Sequence, residues 1–530
     1  MAGVSTTIAG EYARLESDRN VFLTRARECA EVTIPTLVPP ATSNGSVTYV
    51  TPYQGVGARG LNNLASKLLL ALFPPSQPFF RLSVASEVLA SLGESQGTAE
   101  KALSTIEQRV VGEINSSSIR VQLFEGLKQL VVAGNILLYL PPKATALRAF
   151  RLDRYVCVRD TMGSVLRIIV HETIAAHVLD SNVRDELKLN QSQASGFDID
   201  NDDQEVQVYT MINRQENGTW EVTQEVEGVS IEASKTTYPK DKSPWLPLRL
   251  ISVDNEDYGR SYVEEYLGDL KSLEKLTKAI VESSAAAAKL LLFVRPNGTT
   301  LKRTVANANN LDVLSGDAND VSTLTIDKQG DFRVTMEVAK EITERLSYAF
   351  MLNSAVQRKG ERVTAEEIRY MASELENSLG GIYSVLAQEL QLPLVTLLMA
   401  RMQRQRKIPS LPKGMVKPTI TSGMEALGRT AELQKLDLFI QSSGAVLGAE
   451  EMAKRVNVGE YLKRRAAALQ IETEGLLRSE EDIAAEMQQA QAAQLLEKSA
   501  PNAINAMAGM AQQAQQAPAE EAPPQEPVQG

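Results

Sequence analysis

Residues Gly259–Lys289 read GRSYVEEYLGDLKSLEKLTKAIVESSAAAAK, and this stretch decides the fold. Its apolar residues recur at helical spacing and cover one broad face, whereas most of its lysines and glutamates fall on the other. The pattern predicts one long helix over Ser261–Ser284, which at about 1.5 Å per residue is about 35 Å long. The chain is therefore expected to contain a long amphipathic helix with a continuous apolar stripe.

A second long helix is predicted at 335–356, where apolar residues again form one stripe. The intervening residues 290–334 are predicted to form a small β-containing insertion, opened by a hairpin turn at Asn297-Gly298. Thr364-Ala-Glu-Glu367 is a capping-box pattern, in which a hydroxyl and a carboxylate satisfy the free amides of a first helical turn. It predicts a long helix over 364–407 that kinks at Pro393.

Residues 1–260 are predicted to combine helices with a β-meander at about 136–239. On one strand Val206, Val208, Thr210 and Ile212 alternate with polar residues, and Asn217-Gly218 predicts a tight hairpin with positive φ. The predicted helices are Tyr12–Glu31, Leu61–Phe73, Thr98–Ser116 and Val121–Gly134.

Further helices are predicted within 423–480, at Gly423–Ser442 and Ala449–Gln470. Residues 487–530 are rich in Gln, Ala and Pro, a composition that buries too little apolar surface to offset ordering, so this tail is predicted to be disordered. The fold class expected from the whole pattern is α+β and predominantly helical.

The 530 residues carry a formal net charge of −11, which argues against a protein that coats nucleic acid. Residues 480–530 contain eight acidic residues and one basic residue, so they account for −7 and leave −4 for residues 1–479.

The two cysteines, Cys29 and Cys157, make a disulfide framework improbable and favour a reducing compartment. The sequence shows no secretory signal pattern, so we do not expect secretion. Its apolar stretches are shorter than the roughly 18 residues that a membrane helix needs, so we do not expect a membrane helix.

Gly55-Val-Gly-Ala-Arg-Gly60 matches the G-x-G-x-x-G pattern of dinucleotide-binding turns and precedes a predicted helix. Pro52 interrupts the strand that should lead into such a turn, and no parallel strand follows. The pattern therefore leaves two interpretations open, a weak nucleotide site and a glycine-rich turn that starts the helix.

Other catalytic or metal-binding patterns fail on their spacing. His171 and His177 stand six positions apart, whereas a zinc-protease helix needs histidines at i and i+4. Asp198, Asp200 and Asp202 begin like a calcium loop, but Asp203 occupies the position of the required glycine. No phosphate-binding loop of the G-x-x-x-x-G-K-[ST] type and no G-x-S-x-G motif occurs. We expect no enzyme activity, cofactor or metal.

Residues 357–363 form a short basic loop between two predicted helices. Arg358, Lys359 and Arg362 accompany Gly360, so the loop can present cations to a phosphate backbone without reading base sequence. The alternative is an ordinary solvated connection between helices.

The order of these elements resembles the portal proteins, or head-to-tail connectors, of T7-like podophages. Two stretches carry the resemblance, TPYQGVGARGLNNLASKLLLALFPP (Thr51–Pro75) and the Gly259–Lys289 helix quoted above. It extends from about Glu11 to Leu477 and weakens in the tail. It implies a portal fold with wing, stem, clip and crown that assembles into a ring, commonly of twelve subunits, at one capsid vertex, with double-stranded DNA passing through the centre.

The resemblance also divides the chain into functional regions. The expected regions are a wing (1–260 with the kinked helix 364–407), a first stem helix (261–289), a clip (290–334), a second stem helix (335–356), a tunnel loop (357–363), a helical crown (423–480) and the tail (487–530).

Three sets of site residues are implied by the resemblance. The tunnel loop would contact DNA through Arg358, Lys359 and Arg362. The clip would dock the large terminase and later the tail adaptor through Arg295, Asn297, Gly298, Lys302 and Arg303. The stem would contact neighbouring subunits through Val263, Leu267, Leu270, Ile280, Ile342 and Leu346.

The resemblance implies further partners and a location. Major capsid, scaffold and internal core proteins are expected partners, a membrane is not, and the protein is expected in the virion after assembly in the host cytoplasm. Two alternatives remain: a non-viral helical scaffold or adaptor that never meets DNA, and a nucleotide-binding enzyme that uses Gly55–Gly60.

Overall fold

The computed structural model describes most of the first 409 residues and parts of the remainder. The described ranges are 7–40, 48–75, 78–84, 96–116, 118–142, 146–179, 181–189, 204–287, 291–324, 329–352, 374–375, 378–409, 416–420 and 437–446, with scattered residues between 448 and 465. The chain divides into two compact units, residues 1–426 and residues 427–530.

Four helices form the helical part of the N-terminal region, and all four predicted helices are confirmed with small shifts at their ends. The Thr7 hydroxyl accepts a hydrogen bond from the Gly10 amide and caps the first helix, while Gly134 ends the fourth in the left-handed conformation with φ of 71°. The helices are α1 (Ile8–Glu31), α2 (Val56–Leu72), α3 (Gln96–Ser116) and α4 (Ile119–Ala133).

The predicted meander is present but begins later than expected. Its five antiparallel strands follow chain order, and a further helix, α5 (Ser181–Leu189), lies between the second and third. The strands are β4 (Tyr155–Arg159), β5 (Val165–Ala175), β6 (Glu205–Arg214), β7 (Trp220–Val226) and β8 (Val229–Tyr238).

Strand β2 (Asn135–Tyr139), which the sequence assigned to this meander, belongs instead to a separate three-stranded sheet. There it lies between β3 (Arg148–Phe150) and β9 (Trp245–Arg249). The reason is visible in its burial: four successive residues of β2 are buried, so both of its faces are covered, unlike a strand with one solvated face.

The alternation predicted on β6 is confirmed, since Val206, Val208, Thr210 and Ile212 are all buried. The turn between β6 and β7 differs from the expected two-residue type. Gln215 donates its amide to Thr219 across a longer loop, and Gly218 has positive φ (82°) whereas Asn217 does not. This is the geometry of a turn with a glycine bulge, in which only the glycine position requires the left-handed region.

The first predicted long helix is interrupted at Tyr266. A short helix, α6 (Tyr262–Glu265), precedes α7 (Leu267–Ala287), and Tyr266 departs from helical geometry with φ −110° and ψ 10°. Both Tyr262 and Tyr266 place their rings 6.0 Å from the Phe350 ring, so aromatic packing accompanies the break. The returning helix, α9 (Gln329–Ala349), starts inside the range expected for the clip.

The insertion between these helices is a two-stranded sheet with a long connection, and the predicted hairpin at Asn297-Gly298 is wrong. Strand β10 (Leu291–Val294) pairs antiparallel with β11 (Val321–Leu324), and α8 (Lys302–Ala306) lies between them. The Asp320 carboxylate accepts hydrogen bonds from the Thr299 and Thr300 amides, which folds the chain back locally instead of returning it at once as a partner strand.

The predicted helix 364–407 is not continuous over its described part. Gly380 has φ of 55° and precedes α10 (Gly381–Leu386), after which a π-helical turn (Ala387–Gln391) leads into α11 (Leu392–Arg404). The π-helical turn lies directly before Pro393, where a kink was predicted. A wider turn accommodates the proline because it has no amide hydrogen and its ring collides with the carbonyl four residues earlier. Strand β12 (Val416–Ile420) pairs with β1 (Phe80–Val84).

One helical run in the described residues, Gly381–Arg404, is long and apolar enough to span a membrane by length and composition alone. Half of its most apolar 18-residue stretch is buried in the protein. Leu386, Leu394 and Leu398 belong to the main hydrophobic core. We therefore interpret the run as a core helix.

The predicted crown is described mainly at 437–446, which is helical. In that unit the Tyr461 hydroxyl donates a hydrogen bond to Asp437 at 2.6 Å, and Arg465 lies 3.4 Å from the same carboxylate. The tail 487–530 lies outside the described residues.

Candidate functional site

The two predicted stem helices pack against each other within one subunit. Arg345 on α9 pairs with Asp269 on α7 at 2.9 Å. Tyr262 at the start of the pair donates its hydroxyl hydrogen to the Ala349 carbonyl at 2.9 Å, and burial raises the pKa of this phenol. The tyrosine thus stays neutral and acts as a donor that joins the beginning of one helix to the end of the other.

The residues predicted to contact neighbouring subunits divide into two groups. Val263, Leu270, Ile342 and Leu346 are buried in the core of their own subunit. Leu267 and Ile280 are only partly buried. The first four belong to the main core of the subunit, so a neighbouring subunit has little of their surface to touch in this conformation.

Other apolar side chains on the same helices remain exposed in the single chain. On α9, Met336 is 60% exposed and Tyr348 is 75% exposed, and Val281 on α7 is 48% exposed. The sequence analysis included Val281 in the apolar stripe of the first helix and did not single out Met336 or Tyr348. We call Val281, Met336 and Tyr348 the outer stem face.

The C-terminal end of α9 is held by polar side chains of α2. The Asn63 amide group donates to the carbonyl oxygens of Phe350 and Met351, both at 3.0 Å, and the Lys67 ammonium donates to the Met351 carbonyl at 3.0 Å. Sequence reasoning missed these positioning residues. The signal was present: Lys67 is the one charged residue in the apolar stretch Leu64–Phe73.

The predicted tunnel-loop residues Arg358, Lys359 and Arg362 lie outside the described residues, as does the capping box Thr364–Glu367. Their predicted DNA contact therefore stays a prediction.

The clip residues separate into four exposed polar residues, three of which are cations, and one packed glycine. Arg295, Asn297, Lys302 and Arg303 are exposed on the loop and on α8. Gly298 instead packs against Asp320, and a Cβ atom at this glycine would lie 2.3 Å from the Asp320 carboxyl carbon. Hydrogen bonds from the Thr300 and Thr299 amides and the Thr299 hydroxyl lower the pKa of Asp320. Gly298 is thus placed to shape the loop that carries the cations.

Two of the three glycines in Gly55–Gly60, Gly57 and Gly60, pack closely against other parts of the protein. A Cβ atom at Gly57 would lie 2.3 Å from the Val32 carbonyl oxygen, and one at Gly60 would lie 2.6 Å from Phe350. The Gly57 amide donates to the Gln54 side chain at 2.9 Å, and the preceding amides of Tyr53 and Gln54 donate to the Glu274 carboxylate. Of the two interpretations, the geometry therefore favours the turn that starts α2, since close packing and the Glu274 carboxylate of α7 already engage the glycines and amides of this turn.

His171 and His177 lie on different elements, β5 and the 3₁₀ turn Ala176–Val178 that follows it. The His171 ring stacks on Tyr209 with centroids 4.6 Å apart, and burial lowers its pKa. Among the described residues, no group of three or more His, Cys, Asp or Glu side chains could hold a metal ion.

Comparison with known proteins identifies the family. Residues 5–477 match the family described as "Bacteriophage head to tail connecting protein". The chain is 46% identical over 496 residues to a portal protein of Enterobacteria phage T3, covering 92% of this chain and 91% of the relative. It is also 46% identical over 478 residues to a portal protein of Escherichia phage T7, covering 89% and 88%.

A solved structure described as "Neck of empty GTA particle computed with C6 symmetry" has 12% sequence identity and a TM-score of 0.35, and the match covers 79% of this chain and 90% of that one. A similarity this low carries no argument. The family match and the two phage relatives confirm the resemblance inferred from the sequence. The chain therefore belongs to the bacteriophage head-to-tail connecting protein family, as a relative of the portal proteins of T7-like phages.

Proposed function

We propose that this chain is the subunit of a viral portal, a ring that forms the channel at one capsid vertex through which double-stranded DNA is packaged and later ejected. Family membership over residues 5–477 is the observation that carries the proposal. The subunit acts as a structural conduit without catalysis and without a cofactor. Its place is the virion, after assembly in the host cytoplasm.

The outer stem face supports self-assembly. A helix pair that has satisfied its own core and still exposes Val281, Met336 and Tyr348 has apolar surface to bury against another subunit. Such contacts are heterologous, and they close into a ring when the rotation between subunits is a whole fraction of a turn. A dodecamer is the ring size we propose, with Leu267 and Ile280 as further contacts.

The charge distribution suits a channel that guides DNA without holding it tightly. Each contact between a cation and a phosphate adds affinity through counterion release, so a uniformly basic wall would retard the DNA. Residues 1–479 carry a net charge of only −4, and Arg358, Lys359 and Arg362 provide a local cluster of cations. We assign these three residues to the sliding contact with the phosphate backbone.

The clip is the proposed docking site for the large terminase during packaging and for the tail adaptor afterwards. Its exposed Arg295, Asn297, Lys302 and Arg303 provide a polar, largely basic surface, and Gly298 shapes the loop that carries them. The wing and crown are assigned to contacts with the major capsid, scaffold and internal core proteins.

Ring assembly is tested by changing the outer stem face. The double variant Met336→Glu and Tyr348→Glu should leave a folded subunit but prevent ring closure, because it places charge in an apolar contact. Native mass spectrometry and negative-stain images measure the outcome. Rings of normal mass from this variant would contradict the assigned contact.

The DNA contact is tested by changing Arg358, Lys359 and Arg362 together to alanine. We expect normal rings and a loss of packaged or retained DNA, measured as DNA per particle. The matched control changes Lys235, Lys240 and Lys242, three exposed lysines of the wing, to alanine and removes the same charge. A wild-type infectious yield from the first variant would contradict the assignment of these three residues to the DNA contact.

A further inference from the structure

The two stem helices expose opposite charges on surfaces that the core of the subunit leaves uncovered. On α7, Lys275 and Lys278 are exposed and three positions apart, so they lie on one face of that helix. On α9, Glu337 and Glu341 are exposed and four positions apart, so they also share one face. We call the first pair the basic face of α7 and the second pair the acidic face of α9.

Contacts within the subunit use little of the charge on the basic face. The Lys278 ammonium lies 3.9 Å from the Glu282 carboxylate, and both side chains are more than half exposed. Such an ion pair contributes little because water and salt screen it. Lys271 would extend the basic face by one turn, but it pairs with Glu28 of α1 at 2.6 Å. The charge of Lys275 and Lys278 is therefore available to another molecule.

The contacts between α7 and α9 fix the relative heights of the two faces. Asp269 pairs with Arg345 at 2.9 Å, and beyond the other end of the helix pair Leu291 of β10 is matched with Leu324 of β11. The helices therefore run antiparallel, and each step forward along α7 corresponds to one step back along α9.

This register brings the two faces to the same level. Counted from the ion pair between the helices, Lys275 lies six residues forward along α7, and Glu341 lies four residues back along α9. Lys278 lies nine residues forward, and Glu337 lies eight residues back. At about 1.5 Å per residue, the lysine and the glutamate of each combination differ in height by about 3 Å or less.

We infer that the basic face of α7 docks on the acidic face of α9 of the next subunit, with Lys275 beside Glu341 and Lys278 beside Glu337. The inference rests on the proposed ring, whose subunits are related by rotation about one axis without a shift along it. The proposed stem runs along that axis, so each residue lies at about the same height in neighbouring subunits. Rotation therefore keeps the two faces level across the contact.

The charges determine which helices meet between subunits. Contacts of α7 with α7, or of α9 with α9, would oppose like charges, which suppresses wrong pairings. Contact between α7 and α9 opposes unlike charges, and it is the contact that a ring repeats. Exposed ion pairs add little affinity. The neighbouring outer stem face therefore provides apolar surface to bury, and the charged faces select the partner helix.

The first test reverses the charge on one side of the contact at a time. The basic-face variant carries Lys275→Glu and Lys278→Glu, and the acidic-face variant carries Glu337→Lys and Glu341→Lys. Each variant alone should remain folded by circular dichroism but form about tenfold fewer rings at low salt, because like charges then meet at every interface. Native mass spectrometry measures the rings.

Mixing the two variants distinguishes contact between subunits from contact within one. An equimolar mixture should recover rings that contain equal numbers of both variants, since every interface then pairs opposite charges. Pairing within a subunit would instead be restored only by placing all four changes on one chain, and that result without recovery in the mixture would overturn the inference. The matched control, Lys240→Glu with Lys242→Glu, changes two exposed lysines of the wing and should leave the rings unchanged.

A second measurement applies if a reversed variant fails to fold. Wild-type rings should exchange subunits several-fold faster at about 0.5 M than at about 0.05 M sodium chloride, because salt screens exposed charges. Lys275→Gln with Lys278→Gln should lose most of this salt dependence. An unchanged salt dependence, or normal rings from either reversed variant, would overturn the inference and leave the proposed portal intact. Absence of rings from the wild type would contradict the proposed function itself.

Discussion

Gly60 of α2 lies directly against Phe350 at the end of α9: a Cβ atom at Gly60 would be 2.6 Å from Cγ and 2.8 Å from Cβ of that residue. Phe350 is fully buried, and the rings of Tyr262 and Tyr266 also contact it. Helix α2 therefore approaches the stem closely only because residue 60 has no side chain. The G-x-G-x-x-G pattern at Gly55–Gly60 resembles a dinucleotide-binding turn, but its last glycine allows two helices to pack closely.

Gly60→Ala is expected to destabilise the protein by about 1–3 kcal/mol, the usual cost of overpacking a filled core. Thermal unfolding of the purified protein measures this effect. Gly112→Ala is the matched control on helix α3, where an added Cβ meets nothing within 4 Å. It should stabilise the protein by about 0.5–1 kcal/mol, as alanine does in a helix. Equal melting temperatures for the two variants would contradict the packing role of Gly60.

Glu225→Gln should loosen the first helix. The buried Glu225 carboxylate on β7 accepts hydrogen bonds from the amides of Ile8 and Ala9 at the start of α1, where a negative charge also complements the helix dipole. We expect a loss of about 1–3 kcal/mol, the range for hydrogen bonds to a charged group. Faster hydrogen exchange in the first turn of α1 is the measurement.

The control for that variant lies on the same strand. Glu221→Gln changes a partly exposed carboxylate that pairs with Lys235, and its effect on stability should be within about 1 kcal/mol of zero. If both variants lower stability equally, the cap on α1 is not the cause.

Asp320→Asn should loosen the clip loop at neutral pH. Its carboxylate holds the amides of Thr299 and Thr300, and these bonds lower the pKa of Asp320 below its ordinary value of 3.8. A lowered pKa stabilises the loop at pH above 3.8, and this contribution disappears as pH falls through the folded-state pKa. We expect faster exchange of these two amides in the variant, and Asp312→Asn in the same loop should leave them unchanged.

The two cysteines should resist thiol reagents at pH 8 until the protein unfolds. Both are buried, and burial raises the pKa of Cys29 to about 12 and that of Cys157 to about 11. Ellman's reagent with and without urea measures this difference, because the thiolate is the reactive form. Rapid labelling of the native protein would show that a cysteine is accessible.

The raised pKa of Cys157 also sets the direction of a pH effect. Above pH 9.0, the ordinary pKa of a cysteine thiol, the unfolded chain loses the Cys157 proton while the folded protein keeps it. The contribution of this thiol to the free energy of unfolding is therefore complete below pH 9 and is lost as pH rises toward 11. One pK unit corresponds to about 1.4 kcal/mol. The unfolding free energy of the wild type should therefore fall more steeply over this pH range than that of Cys157→Ala.

Periodic patterns predicted most elements correctly because they report burial along a single element. The alternation of Val206, Val208 and Ile212 specified one strand, and the spacing of apolar residues located α1, α2, α7 and α9. Breaks were harder to predict. Tyr266 interrupts the predicted helix at a point where its ring packs on Phe350, a residue distant in sequence.

The candidate site divides in the same way. The clip residues Arg295, Lys302 and Arg303 were named through the family resemblance, and Lys67 was visible as the one charge in an apolar stretch. Its partners could not be found, because Met351 and Glu374 are brought to it by the packing of α2 against the end of α9.

The amino-acid sequence by itself determined the family, the long helices, most strands of the meander, the near-neutral charge of residues 1–479 and the acidic tail. These properties are local or additive along the chain. Only the tertiary structure decided which apolar stripes are buried within the subunit, which turns contain a bulge, and what Gly60 and Lys67 contact. Each of these depends on groups that are far apart in sequence, and their proximity is fixed only when the core packs.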